Sequence, residues 1–317
     1  MLFNFHYAFI PDFLTALIIP ILLLIWLWKS KLNTKIDWIL NNLLVGSYII
    51  MIYFVANWWF FSYYFRYLFV LCFLMLAILS WKKVNNLSWF PPYSLTTITG
   101  NVIKVLFIGV FAVSSNSFTL AYDYNEEAID LQFPLKDGVY SIFQGGNGEK
   151  STLMNYHYRF PLFQQSNVHD SMQYAIDIEK LNLLGTSRYG VFIDNPSKFN
   201  LYEIYGEVVY SPVDGIVTNV QDKFADVSPG ASFGKGNTLT IKTDHNIYIS
   251  LLHLKAKSTS VKIGDKIQAG QPIAAVGTSG TGLPHLHIHA AKNAPWGKGV
   301  PIRFDGKFVV KNNLIFK

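Results

Sequence analysis

Pro284-His285-Leu286-His287-Ile288-His289-Ala290 is the stretch on which the reading of this chain turns. A strand's period of two puts His285, His287 and His289 on one face and Leu286, Ile288 and Ala290 on the other, toward a core. A row of imidazoles on a half-buried strand is costly to bury idle. It becomes sensible when one ring ligates a metal and another handles protons.

Working outward, the chain is uneven. Its 317 residues are 51% apolar and only 15% charged, too apolar for an ordinary soluble protein of this size. Residues 1–117 hold Lys29, Lys31, Lys35, Arg66, Lys82, Lys83 and Lys104 against Asp12 and Asp37, so nearly all of the net charge of +6 sits there. The basic balance therefore reports membrane topology and gives no support to a nucleic-acid partner.

Four apolar segments account for this part, at about 13–28, 38–60, 67–81 and 102–120, and each approaches the length of a membrane span. Trp26, Trp28, Trp58, Trp59, Trp81 and Trp89 lie near segment ends, as interfacial aromatics do. Lysines cluster between segments one and two and between three and four. The positive-inside rule puts those loops in the cytoplasm, and with four spans both termini and everything after about Tyr122 lie outside. Lys104, the apolar run after it and Ser114-Ser115-Asn116-Ser117 leave open a signal-like cleavage of the fourth segment. Asn41, Asn42 and Asn57 read as helix packing, and the absence of charge deep in the spans argues against a transporter.

The remainder changes character. Residues 123–150, acidic and then glycine-rich, read as a linker, leaving 1–122 as a transmembrane domain and 151–317 as a second domain. From about residue 203 the pattern is β throughout, with short alternating runs and glycine turns such as Gly215-Ile216-Val217-Thr218-Asn219-Val220 and Thr238-Leu239-Thr240-Ile241-Lys242. Residues 181–201 have mixed signals and read as a helical or irregular insertion. Cys72 is the only cysteine, so any metal site must use His, Asp or Glu.

Ser211-Pro212-Val213-Asp214-Gly215-Ile216-Val217, Leu252-His253-Leu254, the run Val261 to Ile273, Gly277-Thr278-Ser279-Gly280 and Pro284-His285-Leu286-His287 follow one another in order. This set resembles the lysostaphin-type zinc endopeptidases, many of which cut peptide bonds in bacterial peptidoglycan. The resemblance covers about residues 140–310 and implies an antiparallel β-sheet groove with a lipoyl-like β-module. It also implies Zn²⁺ held by Asp177 and His287, with His253 and His285 as catalytic histidines. For the remaining ligand, the family's compact His-x-Gly-x-Asp is absent, and Gln173-Tyr174-Ala175-Ile176-Asp177 resembles members with an Asn-x-His upstream. Two histidines qualify, His157 and His169. His157 is favoured because it closes a strand-like run, whereas His169 falls in a stretch that reads as a loop. His289 stands where relatives often carry a carboxylate, and no catalytic role is assigned to it.

The chemistry is coherent without the family name. Two imidazoles, one carboxylate and an open fourth position suit a hydrolytic zinc site. No His-Glu-x-x-His helix is present to supply a glutamate base. The expectation is an integral protein of the bacterial inner membrane whose outer domain is a zinc metalloendopeptidase acting on peptidoglycan stem peptides or cross-bridges. The alternative is a catalytically silent domain that binds the wall or regulates another hydrolase.

Overall fold

The computed structural model describes residues 11–90, 94–159, 168–188, 199–227 and 234–317. The chain divides into two compact units, one of Phe9–Trp58 and Tyr63–Asn116, the other of Ser117–Lys317 together with Trp59–Ser62.

The first unit is helical. Three helices are long and apolar enough to cross a membrane by length and composition: α1 (Pro11–Lys29), α2 (Lys35–Val55) and, running on into the second unit, the helix Leu95–Ala121. Between them lies α3 (Phe65–Trp81), apolar but only 17 residues long; Leu95–Ala121 is α4. In α1 a π-helical turn over Leu14–Ile18 precedes Pro20. Such a turn relieves the clash between a proline ring and the carbonyl four residues back. Thr34 caps α2 by accepting the Asp37 N–H at 3.1 Å. The second apolar run stops at Val55 and not at residue 60, because Ala56 turns extended and Trp58–Phe61 forms a separate short helix. The fourth begins at Leu95, seven positions ahead of the expected Val102.

The second unit is built on a nine-stranded sheet. Its central strands are β1 (Val139–Gln144), β2 (Ile176–Leu181), β3 (Gly215–Gln221), β4 (Asn237–Lys242), β5 (Ile247–Leu254) and β6 (Leu286–Lys292). They lie in the order β1-β2-β6-β5-β4-β3, every neighbouring pair antiparallel. Leu314–Phe316 extends the sheet beyond β1, and Lys266–Ile267 extends it beyond β3. Alternation decides what each strand buries. Ile142, Ile176, Ile178, Leu239, Ile241, Ile249, Leu251, Leu286 and Ile288 fill one hydrophobic core. Their neighbours Ser141, Asp177, Glu179, Thr240, Ser250, His287 and His289 share the opposite face.

One sequence expectation changes here. Residues 123–150 are no mere linker: they supply Ile129–Leu131, paired with Ile302–Phe304, and the whole of β1. The reason is local, since Val139-Tyr140-Ser141-Ile142-Phe143-Gln144 alternates with β-branched and aromatic residues just before the glycine cluster. The insertion expected at 181–201 is a turn to Arg188 and a 3₁₀ turn at Phe199–Leu201, while residues 189–198 lie outside the described residues.

Gly277 ties the turn after β5 to this sheet. Its N–H reaches the His253 carbonyl at 3.0 Å, and a Cβ there would lie 2.5 Å from the Lys255 backbone nitrogen. Gly277→Ala is therefore expected to destabilise the domain by ~1–3 kcal/mol, read as a lower thermal unfolding midpoint of the full chain. An unchanged midpoint contradicts this packing.

Candidate metal centre

The register of β6 builds the centre. On one side His287 lies opposite Asp177 of β2, and on the other opposite Leu252 of β5. His287 Nδ1 lies 2.8 Å from Asp177 Oδ1. His157 Nε2 is 3.1 Å from Asp177 Oδ2, and His285 Nε2 is 3.6 Å from Oδ1. Donor atoms of His157, Asp177 and His287 all fall within 4.8 Å of one another, close enough to share a metal ion.

His157 arrives from a 3₁₀ turn, Tyr156–Arg159, and Asn155 aims it. The Asn155 amide donates to the carbonyls of Gly146, Gln173 and Ala175, tying together the two segments that lead into and out of the loop. Its Oδ1 is left to accept the His157 N–H at 3.2 Å and to face Nδ1 at 2.9 Å. His169 is in the short helix Val168–Ser171, and its side chain lies outside the described residues.

His253 reaches the same face by a different device. Leu251 and Leu254 both belong to the core, a spacing of three that plain alternation forbids. A register shift against β4 and a left-handed His253, φ 64°, absorb the extra residue. The bulge turns the ring to the groove face, with its centroid 4.7 Å from that of His285.

Counting protons shows what the centre requires. His287 Nε2 faces His289 Nδ1 at 3.2 Å, and His289 Nε2 faces the Pro295 carbonyl at 3.2 Å. The relay from Asp177 through both rings to Pro295 has three contacts and acceptors at both ends, while two neutral imidazoles bring two protons. Asp177 and Pro295 can both only accept, so one of the three contacts lacks a proton. The other rings are each fixed by a single acceptor. Nδ1 of His157 is spent on Asn155 Oδ1, that of His253 on the Ser279 carbonyl at 2.9 Å and that of His285 on the Leu283 carbonyl at 2.9 Å. Each leaves an Nε2 lone pair free, and those of His157 and His285 point at Asp177. Lone pairs converging on a carboxylate call for a cation between them, and the donor set fits a divalent metal that favours nitrogen and oxygen.

The electrostatics agree. Burial pushes the Asp177 carboxyl up, but the neighbouring His157, His285 and His287 outweigh it and hold it well below the usual carboxylate range. Burial lowers His287 to about 4 and His289 to about 3, and lowers His285 as well, so these rings are neutral at pH 7. Two features were not read from the sequence. One is the relay role of His289, whose ring also packs against Trp296 with centroids 5.0 Å apart. The other is Glu179, wholly buried two positions after Asp177, where burial and then the Asp177 charge raise its carboxyl well above the usual range. The alternation Ile176-Asp177-Ile178-Glu179 carried that signal.

Known proteins resemble this chain over part of its length. The profile described as Peptidase family M23 matches residues 199–300. No curated protein matches the sequence. Among solved structures, a zinc-containing peptidase from Vibrio cholerae aligns with 22% identity and TM-score 0.32 over 55% of this chain, which spans only 39% of that peptidase. The catalytic domain of lysostaphin from Staphylococcus simulans aligns with 20% identity and TM-score 0.25, over 39% of this chain and 69% of that one. The catalytic domain of a point mutant of the prophage-encoded M23 protein EnpA from Enterococcus faecalis aligns with 28% identity and TM-score 0.23, covering 36% and 85%.

The buried rings predict acid sensitivity in the metal-stripped protein. His287 and His289 fold with values near 4 and 3 against the usual 6.5, so between about pH 4 and 6.5 the unfolded chain binds more protons. Stability then falls as pH is lowered through that window, by up to about 1.4 kcal/mol per pH unit for each ring. Glu179 is shifted the other way and offsets about one ring, while His285 adds to the loss. The unfolding midpoint of the chelator-treated chain should drop between pH 7 and 5; a flat or rising midpoint contradicts the neutral assignment.

Proposed function

We propose that this chain, which carries a peptidase family M23 domain at residues 199–300, is a membrane-anchored zinc endopeptidase. On this reading it hydrolyses peptide bonds outside the cytoplasmic membrane, in peptidoglycan stem peptides or cross-bridges. The single observation that carries it is the convergence of three imidazole nitrogens on the buried Asp177 carboxylate. His157, Asp177 and His287 would hold the zinc. Zinc, when bound, supplies Lewis acidity toward a water and a carbonyl oxygen.

The protein's own groups do the rest. His253 and His285 lie beside the ligand cluster with Nδ1 anchored to backbone carbonyls and Nε2 free. A neutral ring so held can take a proton from an attacking water and return it to the leaving amine. The second ring can donate toward the oxyanion of the tetrahedral intermediate once protonated. Phe143 packs edge-on against His285, with centroids 5.3 Å apart, and limits its rotation.

Anchoring follows from the apolar helices. The 17 residues of α3 stand at the lower limit of a bilayer span, and counting it gives four crossings with residues 1–122 as the membrane part. The lysine-bearing loops then face the cytoplasm and the peptidase domain faces out. The β-module of residues 208–275 is read as the lipoyl-like part of the fold.

His287→Ala and Asp177→Asn should each abolish hydrolysis of purified wall peptides and release the zinc. His253→Ala and His285→Ala should retain zinc and lose about 10²–10⁴-fold in kcat. Turnover by either ligand variant would falsify the assignment, and zinc lost from the His253 variant would move that residue into the metal shell.

A further inference from the structure

Leu183 is 94% exposed, more than any other large apolar side chain among the described residues, and Leu184 beside it is 70% exposed. They form the tip of the turn that follows β2, and no charged residue occurs from Leu181 to Ser187. Asn182 closes this turn on itself. Its backbone N–H donates to the Thr186 carbonyl at 2.9 Å, and its carbonyl accepts the Gly185 N–H at 2.9 Å. Its side-chain Oδ1 accepts the N–H groups of Leu184 at 2.9 Å and Thr186 at 3.2 Å, and its amide donates to the Thr186 hydroxyl at 2.8 Å. Gly185, φ 72°, takes the left-handed position that lets the chain reverse.

Two further contacts tie the tip to the connection between two apolar helices. The Ser187 N–H donates to the Trp59 carbonyl at 2.8 Å, and the Ser62 hydroxyl donates to the Leu184 carbonyl at 2.7 Å. Trp59–Ser62 belongs to the same compact unit as the β strands. It also lies between α2, which ends at Val55, and α3, which begins at Phe65. Ser62 therefore stands three residues from an apolar helix, at most ~11 Å of extended chain. Trp58, Trp59, Tyr63 and Tyr64 cluster at the same point of the sequence, as interfacial aromatics do. Lipid suits both properties of the tip. Its leucines would leave water, and its N–H groups from Leu184 to Ser187 already have partners when water is lost. A protein partner would be met by open hydrogen-bonding groups, and these donors are taken.

We propose that Leu183 and Leu184 insert into the outer leaflet of the membrane that the apolar helices cross. This second attachment holds the peptidase groove close to the lipid. β2 runs directly into the tip, and Asp177 lies six residues before Leu183. At ~3.3 Å per residue the two are at most ~20 Å apart, so the metal centre stands within about that distance of the headgroups. Its substrates are peptides presented at the membrane surface. This rests on the membrane reading above and adds where the centre works.

The test uses the full chain in vesicles of phosphatidylethanolamine and phosphatidylglycerol. Cys72, the only cysteine, is removed as Cys72→Ser, and a nitroxide is attached in turn to Leu183→Cys, Leu106→Cys and Ile263→Cys. Leu106 lies in α4. Ile263 is 64% exposed and precedes Lys266–Ile267, which extends the sheet beyond β3, away from β2. Replacing Leu183, at 94% exposure, opens no cavity. Collisions with oxygen, which concentrates in lipid, and with a water-soluble nickel chelate give the depth of each label. The Leu183→Cys label should lie about 5–10 Å inside the headgroup boundary, the Leu106→Cys label deeper and the Ile263→Cys label in water. A label at Leu183→Cys as open to nickel as that at Ile263→Cys overturns the insertion, and the anchor stands if the Leu106→Cys label is in lipid. Closure to both probes at Leu183→Cys shows protein covering the tip and also overturns it. A Leu106→Cys label in water removes the anchor and the insertion together.

Discussion

The β unit is organised round one constraint: a buried carboxylate, Asp177, faced by three imidazoles, of which His157 and His285 have their N–H groups committed elsewhere. Such an arrangement is unfavourable by itself, since lone pairs face lone pairs at hydrogen-bond distance. The fold holds it in place with acceptors that cannot reverse their role. Pro295, Leu283 and Ser279 offer carbonyls, and Asn155 has its amide locked on three others. The tautomers of His157, His253 and His285 are therefore set from outside the centre, the kind of support by which proteins orient metal ligands. In this sense His289 completes the site without touching its middle.

The sheet provides the rigidity. β6 is paired on both sides, so His287 cannot shift without breaking two ladders. The neighbouring core is apolar and buried throughout, which keeps the opposite faces of β2, β5 and β6 in register. His253 is the exception that proves useful. A left-handed non-glycine residue in a strand is strained, and strain of this kind gathers where a side chain must be aimed. The bulge at Leu252-His253-Leu254 aims it at the groove.

How much of this was legible in the sequence depends on the range of the interactions. The alternation in His285-Leu286-His287-Ile288-His289 told which rings share a face, because a strand's period is local. The apolar runs likewise marked the helices, although their ends moved by several residues where a cap or a turn intervened. Pairing is not local. Nothing in the chain alone says that Ile176–Leu181 lies beside Leu286–Lys292, and the grouping of His157, Asp177 and His287 depends on that. Asn155 and His157 are separated by one residue, yet the amide orients the ring only because Gly146, Gln173 and Ala175 converge on it. Glu179 went unread for the same reason: a glutamate on a strand is ordinary until its neighbours are known to leave it without a partner.

The central claim is that two imidazoles and one carboxylate hold zinc while two further imidazoles stand beside it. X-ray absorption at the zinc edge of the purified full-length protein tests this most directly. The account predicts one zinc per chain, a shell of nitrogen and oxygen donors at about 2.0–2.2 Å, and outer-shell scattering from two imidazole rings. Absence of stoichiometric zinc, or scattering from four rings, would contradict it.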